Sequence, residues 1–385
     1  MRRSLFRMFS IAILSLGILS VTSQWGYGAE PIYVGGIFSL TGSAAHIGIG
    51  MRNAVSLAFD EVNRKGGIEG RRLEMIVTDD ESDPTKAVIV AKKMIEQHKD
   101  IVCIIGPTRT DTGMAIIPIV EKEGIPTVMH AGGDVIINPI RKWVFKPAPK
   151  AVDALEKILQ YMKKNGITRI GFMNSSDGFG KDGFKNVKVL TAKHGIEITG
   201  DETFDLKDVD MTPQLTRINS KKPQAVIIWT IGPAIGITTK NARALGIGVP
   251  IFQCHGAAEP IFFKLAGEAS DGVLMPASKI LVYGLLPDTD VHKAKIQTFV
   301  KEYTERFKET PGVMVATGVD AGYLVIEGIR KGGLNRGKVR DAIENIKNFV
   351  VITGIYNLSP EDHCGITTKD LTMIKAEKGR FKIAE

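Results

Sequence analysis

From Pro31 onward the sequence alternates short, unbroken apolar runs with longer segments of helical spacing, and this alternation constrains the fold more than any other feature. IYVGGIF, RLEMIVTDD, DIVCIIGP and IPTVMHA read as strands. Between them the loop SLTGSAAHIGIG leads into a helix reaching Val62, a second helix runs through Met94, and a third precedes IPTVMHA. Strands without polar alternation have no face for water, so both faces of their sheet must be covered. Helical crossovers do this for parallel strands, and the expectation is a doubly wound α/β unit. Asp83 followed by Pro84 marks one helix start, a capping side chain before a proline suited to the first turn.

The stretch KPAPK (Lys146 to Lys150) interrupts the pattern, which then begins again. A helix through Lys163, the strand RIGFMN, a helix from Lys181 to His194, the strand IEITGDETF, a helix from Thr212 to Ser220, the strand AVIIWT, a helix through Ala244 and the strand IFQC form a second unit. Beyond Met275 a long helix from Val291 to Glu309 and another around Asp320 to Lys331 need a sheet to cover. The tail LTMIKAEKGRFKIA reads as strand, turn at Lys378-Gly379, and short strand.

Arg2, Arg3 and Arg7 precede an apolar run, Ile11 to Val21, that is too short to span a bilayer, and the small Ala29 closes the segment. Residues 1–29 therefore read as a secretory signal peptide, with no Cys beside the cut to carry a lipid anchor. Its removal leaves 385 − 29 = 356 residues, enough for two domains, and takes away three Arg and no acid, so net charge falls from +8 to +5. Basic and acidic residues are interspersed, as in EVNRKGGIEGRR, which argues against a nucleic-acid surface. Cys103, Cys254 and Cys364 have no metal spacing, and Cys103 within an apolar strand reads as a small buried hydrophobe. The histidines form no zinc pattern and G-x-S-x-G is absent, so no metal, cofactor or nucleophilic centre is expected.

One motif pulls the other way. Gly178, Gly180 and Gly183 spell G-x-G-x-x-G between the RIGFMN strand and a helix, as in a turn that cradles a dinucleotide pyrophosphate. An exported protein meets little NAD, and the same turn can instead face a ligand cleft, where open parallel sheets bind at the carboxyl ends of their strands. On the second view Phe179, between two of the glycines, is the residue of interest.

Taken in order, SLTGSAAHIG, AFDEVNRKGGIEGRRLEMIVTDDESDP, CIIGPTRTDTG, PIVEKEGIPTV, SSDGFGKDG, ITGDETF, RINSKKPQAVI and ARALGIGVPIF resemble the periplasmic solute-binding proteins of ATP-driven importers, of the branched-chain amino acid (Leu/Ile/Val) type. The resemblance covers essentially the whole mature chain. It implies a type I periplasmic binding protein fold, two Rossmann-like lobes joined by a three-strand hinge. Lobe 1 would hold residues 30–147 and 277–350, lobe 2 residues 148–276 and 351–385. It implies a monomer in the periplasm that closes on a small solute and hands it to an inner-membrane ABC permease. The leading solute is a branched-chain or other hydrophobic amino acid.

The resemblance also places ligand contacts. Thr110 matches a serine that takes the ligand carboxylate, and Thr108 and Thr110 open a helix whose N–H groups suit an anion. Ala131, Gly132 and Gly133 match positions offering backbone groups, although Gly133 lacks the hydroxyl found there. His46 and Ile47 fall where the family contacts the ligand side chain; His46 equally suits a helix cap. Arg109 either adds charge to the cleft or lies on the surface. Asp177, Phe179, Ile231 and His255 sit at strand ends of the second lobe, Phe179 as a cleft contact or as packing. The family carries an acid after the strand equivalent to IFQC to pair with the ligand ammonium, because a buried unpaired charge is costly. Here His255 and Gly256 stand there, with Glu259 three residues later. Asp177 or Glu259 takes that role, or the solute is a carboxylate, aromatic acid or amide without an ammonium. An exported nucleotide-dependent oxidoreductase and a sensory module of the same fold complete the alternatives.

Overall fold

The computed structural model describes residues 29–384. The expected leader lies outside the described residues except for Ala29. In chain order the first sheet is built from β1 (Ile32–Phe38), α1 (Ala45–Arg64), β2 (Leu73–Asp79), α2 (Pro84–Gln97), β3 (Cys103–Ile105), α3 (Thr110–Glu123), β4 (Thr127–Val128) and β5 (Val144–Phe145). Its strands are all parallel in the order β2-β1-β3-β4-β5. The Asp83 side chain accepts from Lys86 N–H and Pro84 occupies the first turn of α2, the start expected from sequence.

The second sheet uses α4 (Ala151–Lys164), β6 (Arg169–Ser175), α5 (Gly178–His194), β7 (Glu197–Phe204), α6 (Thr212–Ser220), β8 (Ala225–Trp229), α7 (Ala234–Ala244), β9 (Ile251–Gln253), α8 (Ile261–Ala266) and β10 (Leu274–Ala277). The chain then forms α9 (Lys293–Phe307), α10 (Val313–Gly332), α11 (Arg336–Glu344) and the small antiparallel pair β11 (Phe349–Val350) and β12 (Ile355–Tyr356). It ends in β13 (Thr372–Glu377), which pairs antiparallel to β10, and β14 (Arg380–Ile383), which pairs antiparallel to β13, and the two extend the second sheet. That sheet runs β14-β13-β10-β9-β8-β6-β7.

The strands are apolar because they are covered: every residue of β8 is buried, and so is β6 after Arg169. Helix α10 lies along α1, where side chains added at Gly318 and Gly322 would meet Met51 Cα at 2.9 Å and Ala58 Cβ at 3.0 Å. It begins at Val313, seven residues before the expected Asp320, because nearly its whole first half is buried and shows no polar face to read. The strand expected over IPTVMHA is present but only two residues long, as β4, while the two-residue β5, the short α8 and α11, and the β11–β12 pair carry too little periodicity to announce themselves.

The glycine motif is not a turn. Helix α5 starts at Gly178, capped by Asp177, whose carboxylate accepts from Gly180 N–H, so all three glycines lie inside the helix expected to begin at Lys181. A Cβ at Gly180 would fall 1.9 Å from the Ser175 carbonyl oxygen, and one at Gly183 would fall 2.2 Å from Trp229 Nε1. These glycines let α5 pack directly on β6 and β8.

The chain passes between the two sheets three times, after Phe145, after Ala277 and between Val350 and Thr372. Polar contacts hold these passages. Lys146, wholly buried, donates to the carbonyls of Ala148 (2.8 Å) and Pro149 (2.6 Å). Asp320 of α10 accepts from the N–H groups of Ile352 and Thr353, both at 2.9 Å.

Candidate functional site

In a doubly wound sheet, ligands bind outside the carboxyl ends of the strands, where the strand order reverses. In the first sheet that point lies between β1 and β3, in the second between β6 and β8. The loops after these strands meet. They enclose a cavity of about 20 Å³ lined by Ile47, Thr108, Arg109, Thr110, Gly132, Phe179, Ile231, His255, Gly256 and Met314. A larger surface groove of about 580 Å³ lies among α1, α9 and α10, but its polar groups pair with one another, Tyr323 to Glu61 and Glu61 to Lys65.

From the first sheet come Ile47 in the first turn of α1 and Thr108 to Thr110 at the start of α3. The Thr108 hydroxyl oxygen accepts from Ser39 N–H at 3.1 Å, and that of Thr110 accepts from Gly133 N–H at 3.0 Å. Each hydroxyl keeps its own hydrogen to donate. The first N–H groups of α3 have no acceptor within the helix, so this corner presents donors to an anion. Gly132 and Gly133 are small for contact reasons: a Cβ would meet Phe179 at 2.8 Å and Thr110 at 2.7 Å respectively.

Arg109 is buried, 5% exposed, not a surface residue. Its guanidinium grips Asp111 with two bonds (3.0 and 2.9 Å), donates to Ser43 Oγ at 2.7 Å, and reaches Asp177 across the cleft at 3.3 Å. Burial alone would lower its pKa, but Asp111, Asp177 and Asp80 outweigh this and hold it above the ordinary value. From the second sheet, Phe179 stacks on Trp229 with ring centres 5.5 Å apart, and His255 stands edge-on to both at 5.6 Å. Ile231 follows β8 and Gly256 follows His255.

Four residues named from sequence lie outside the cavity wall. His46 is half-buried in the first turn of α1, and burial lowers its pKa. Ala131 is buried beside the wall, and Gly133 touches it only through Thr110. Asp177 caps α5 and is held by Ser175 Oγ at 2.7 Å as well as by Arg109.

A family model for periplasmic binding proteins matches residues 31–380. The chain belongs to the periplasmic binding proteins. It is similar to the leucine-, isoleucine-, valine-, threonine- and alanine-binding protein of Pseudomonas aeruginosa, 22% identical over 92% of each chain. Among solved structures, an extracellular ligand-binding receptor from Rhodopseudomonas palustris HaA2 superposes with a TM-score of 0.85 at 26% identity, covering 92% of this chain and 99% of that one. An ABC-transporter solute-binding protein of R. palustris in complex with benzoate superposes with a TM-score of 0.80 at 23% identity, covering 92% and 95%. The type I periplasmic binding fold expected from sequence is therefore the fold observed.

In this periplasmic binding protein two residues at the site, Met314 and Trp229, gave no sequence signal strong enough to single them out, whereas Gly256, noted beside His255, does line the wall. Met314 reaches the wall only because α10 starts early. Trp229 lies behind Phe179 and was legible only as a strand residue. Glu259 accepts from Met314 N–H, and its carboxyl lies where a Cβ at Gly312 would stand, 2.0 Å from Oε2. Burial pushes its pKa up to about 8. His255 is wholly buried, and burial, with Lys146 adding to it, pushes its pKa down to about 3, so the ring is neutral at physiological pH. Among the described residues no group of acids, histidines and cysteines has the makings of a metal site, and no helix is long and apolar enough to cross a membrane.

Proposed function

We propose that the protein is an extracytoplasmic receptor that closes its two lobes on one small carboxylate-bearing solute and presents it to the permease of an ABC importer. One observation carries this reading: eight residues named from sequence, drawn from both sheets, meet in a single enclosed cavity at the two facing switch points. The donors of Thr108, Thr110 and the α3 N-terminus suit a carboxylate, and Ile47, Phe179, Ile231 and Met314 suit an apolar body. The amino acids named for the Pseudomonas relative and the benzoate held by the R. palustris protein share those two parts.

An enclosed space of about 20 Å³ holds one water, far less than such a solute, so the lobes part to admit it. A solute that touches both walls favours the closed form by the contacts it gains only there. The lobes are 30–147 with 277–350 and 148–276 with 351–385; the protein acts as a monomer in the periplasm, delivered by the leader at 1–29. It carries out no chemistry on its solute. With α5 beginning at Gly178, the glycine motif no longer argues for a nucleotide.

Calorimetry and small-angle scattering on the mature protein test the reading together. Addition of a bound hydrophobic amino acid or organic acid should shrink the radius of gyration. A scattering profile unchanged at saturation, for every solute that binds, would refute the closing receptor.

A further inference from the structure

We propose that the solute is a carboxylic acid without an ammonium group, and that His255 is the residue that sets this specificity. The inference rests on the receptor reading above and narrows its solute. No Asp or Glu lines the cavity. The two acids that could have served are committed elsewhere. Asp177 Oδ1 accepts from Gly180 N–H (3.0 Å) and Ser175 Oγ (2.7 Å), and its Oδ2 faces Arg109. Glu259 turns to the N-terminus of α10, accepting from Met314 N–H. An ammonium brought into this space would meet the Arg109 guanidinium and a neutral imidazole, with no counter-charge, and a buried unpaired charge carries a large desolvation penalty.

What stands in the wall instead is a wholly buried histidine with neither ring nitrogen hydrogen-bonded. Such a group is unfavourable in a native fold unless something partners it. His130 is also buried, but it lies against Phe38 and outside the cavity wall, so the cavity is what gives His255 its meaning. Nε2 lies 3.6 Å from where a Cβ at Gly132 would stand, and Thr110 accepts from the N–H of the next residue, so the imidazole and the threonine hydroxyl both border the Gly132–Gly133 segment, and both line the cavity. A neutral imidazole offers one donor and one acceptor. Its donor complements a carboxylate oxygen, or a hydroxyl or carbonyl beside it, and the ring carries no charge to pair with an ammonium.

The test is paired calorimetry on the mature wild-type protein: leucine against 4-methylpentanoate, phenylalanine against 3-phenylpropanoate, and benzoate alone. The expected result is that benzoate or one of the ammonium-free acids binds at least tenfold tighter than either amino acid. In a second arm His255→Phe keeps the ring and removes both nitrogens. Affinity for the preferred acid should fall at least tenfold while the melting temperature of the solute-free protein holds or rises. Tighter binding of leucine or phenylalanine than of their ammonium-free analogues overturns the inference and leaves the receptor reading standing. Unchanged affinity in His255→Phe overturns the role given to His255. Binding of none of the five compounds overturns both the inference and the carboxylate receptor reading.

Discussion

At the scale of single residues, the site is legible where chemistry is local and silent where it depends on a neighbour far along the chain. Thr108 and Thr110 announce themselves because they follow an apolar strand and open a helix. Arg109 does not: whether it is a surface charge or a buried one depends on Ser43 and Asp177, 66 and 68 residues away. Glu259 shows the same limit, since nothing in QCHGAAEP tells that its carboxyl will be shut against the start of α10. That burial has a consequence for stability. In the unfolded chain Glu259 ionises near its ordinary 4.5, and in the fold near 8, so between those values the native state holds the extra proton. Its contribution is therefore complete below about 4.5 and is lost as pH rises through 8, at up to about 1.4 kcal/mol per pH unit. Glu259→Gln keeps an oxygen for Met314 N–H and has no charge to desolvate. Denaturant unfolding should show the variant gaining on the parent by roughly 2–4 kcal/mol between pH 5 and 8; parallel curves would show that Glu259 ionises without penalty.

At the scale of elements, the G-x-G-x-x-G run shows how one pattern serves two physical ends. Its spacing suits a phosphate turn, yet its glycines are needed because Ser175 and Trp229 leave no room for a Cβ. The three positions are not equal in this respect. At Gly178 the nearest atoms to an added Cβ are at 3.4 Å, ordinary contact, whereas at Gly183 Trp229 Nε1 is at 2.2 Å. Gly183→Ala should destabilise the protein by about 1–3 kcal/mol, the usual effect of overpacking. Gly178→Ala should change stability little. Thermal melts of both decide it, and equal losses at the two positions would mean that backbone conformation, not packing, selects glycine here. Elements of seven or more residues with a clean period, such as β1, β6, β7 and α6, end within a residue or two of where their sequences place them. The two-residue strands β4 and β5 owe their existence to neighbours in the sheet, and so only part of that edge could be read.

At the scale of the whole molecule, the halves are clasped by charge as well as by chain passages. Arg109 reaches Asp177 across the cleft, while the Asp134 carboxylate accepts from Ala151 and Val152 N–H at the start of α4, and Asp134 N–H donates to Asp182 at 2.7 Å. Removing one partner of a buried ion pair strands the others. Arg109→Met leaves Asp111 and Asp177 facing each other across the cleft without their shared cation. The solute-free variant should therefore scatter with a larger radius of gyration than the parent and lose about 3 kcal/mol or more of stability; equal radii would show that the clasp does not govern closure. Apolar runs, helix starts such as Asp83-Pro84 and the order of the alternation were enough to establish two parallel α/β units, because those signals arise from residues close together in the chain. Only the folded molecule decided that Asp177 and Glu259 are spent on Arg109 and α10 and that His255 is left facing the cavity. Those outcomes turn on which distant groups burial brings within hydrogen-bond reach, and no local pattern of residues encodes that.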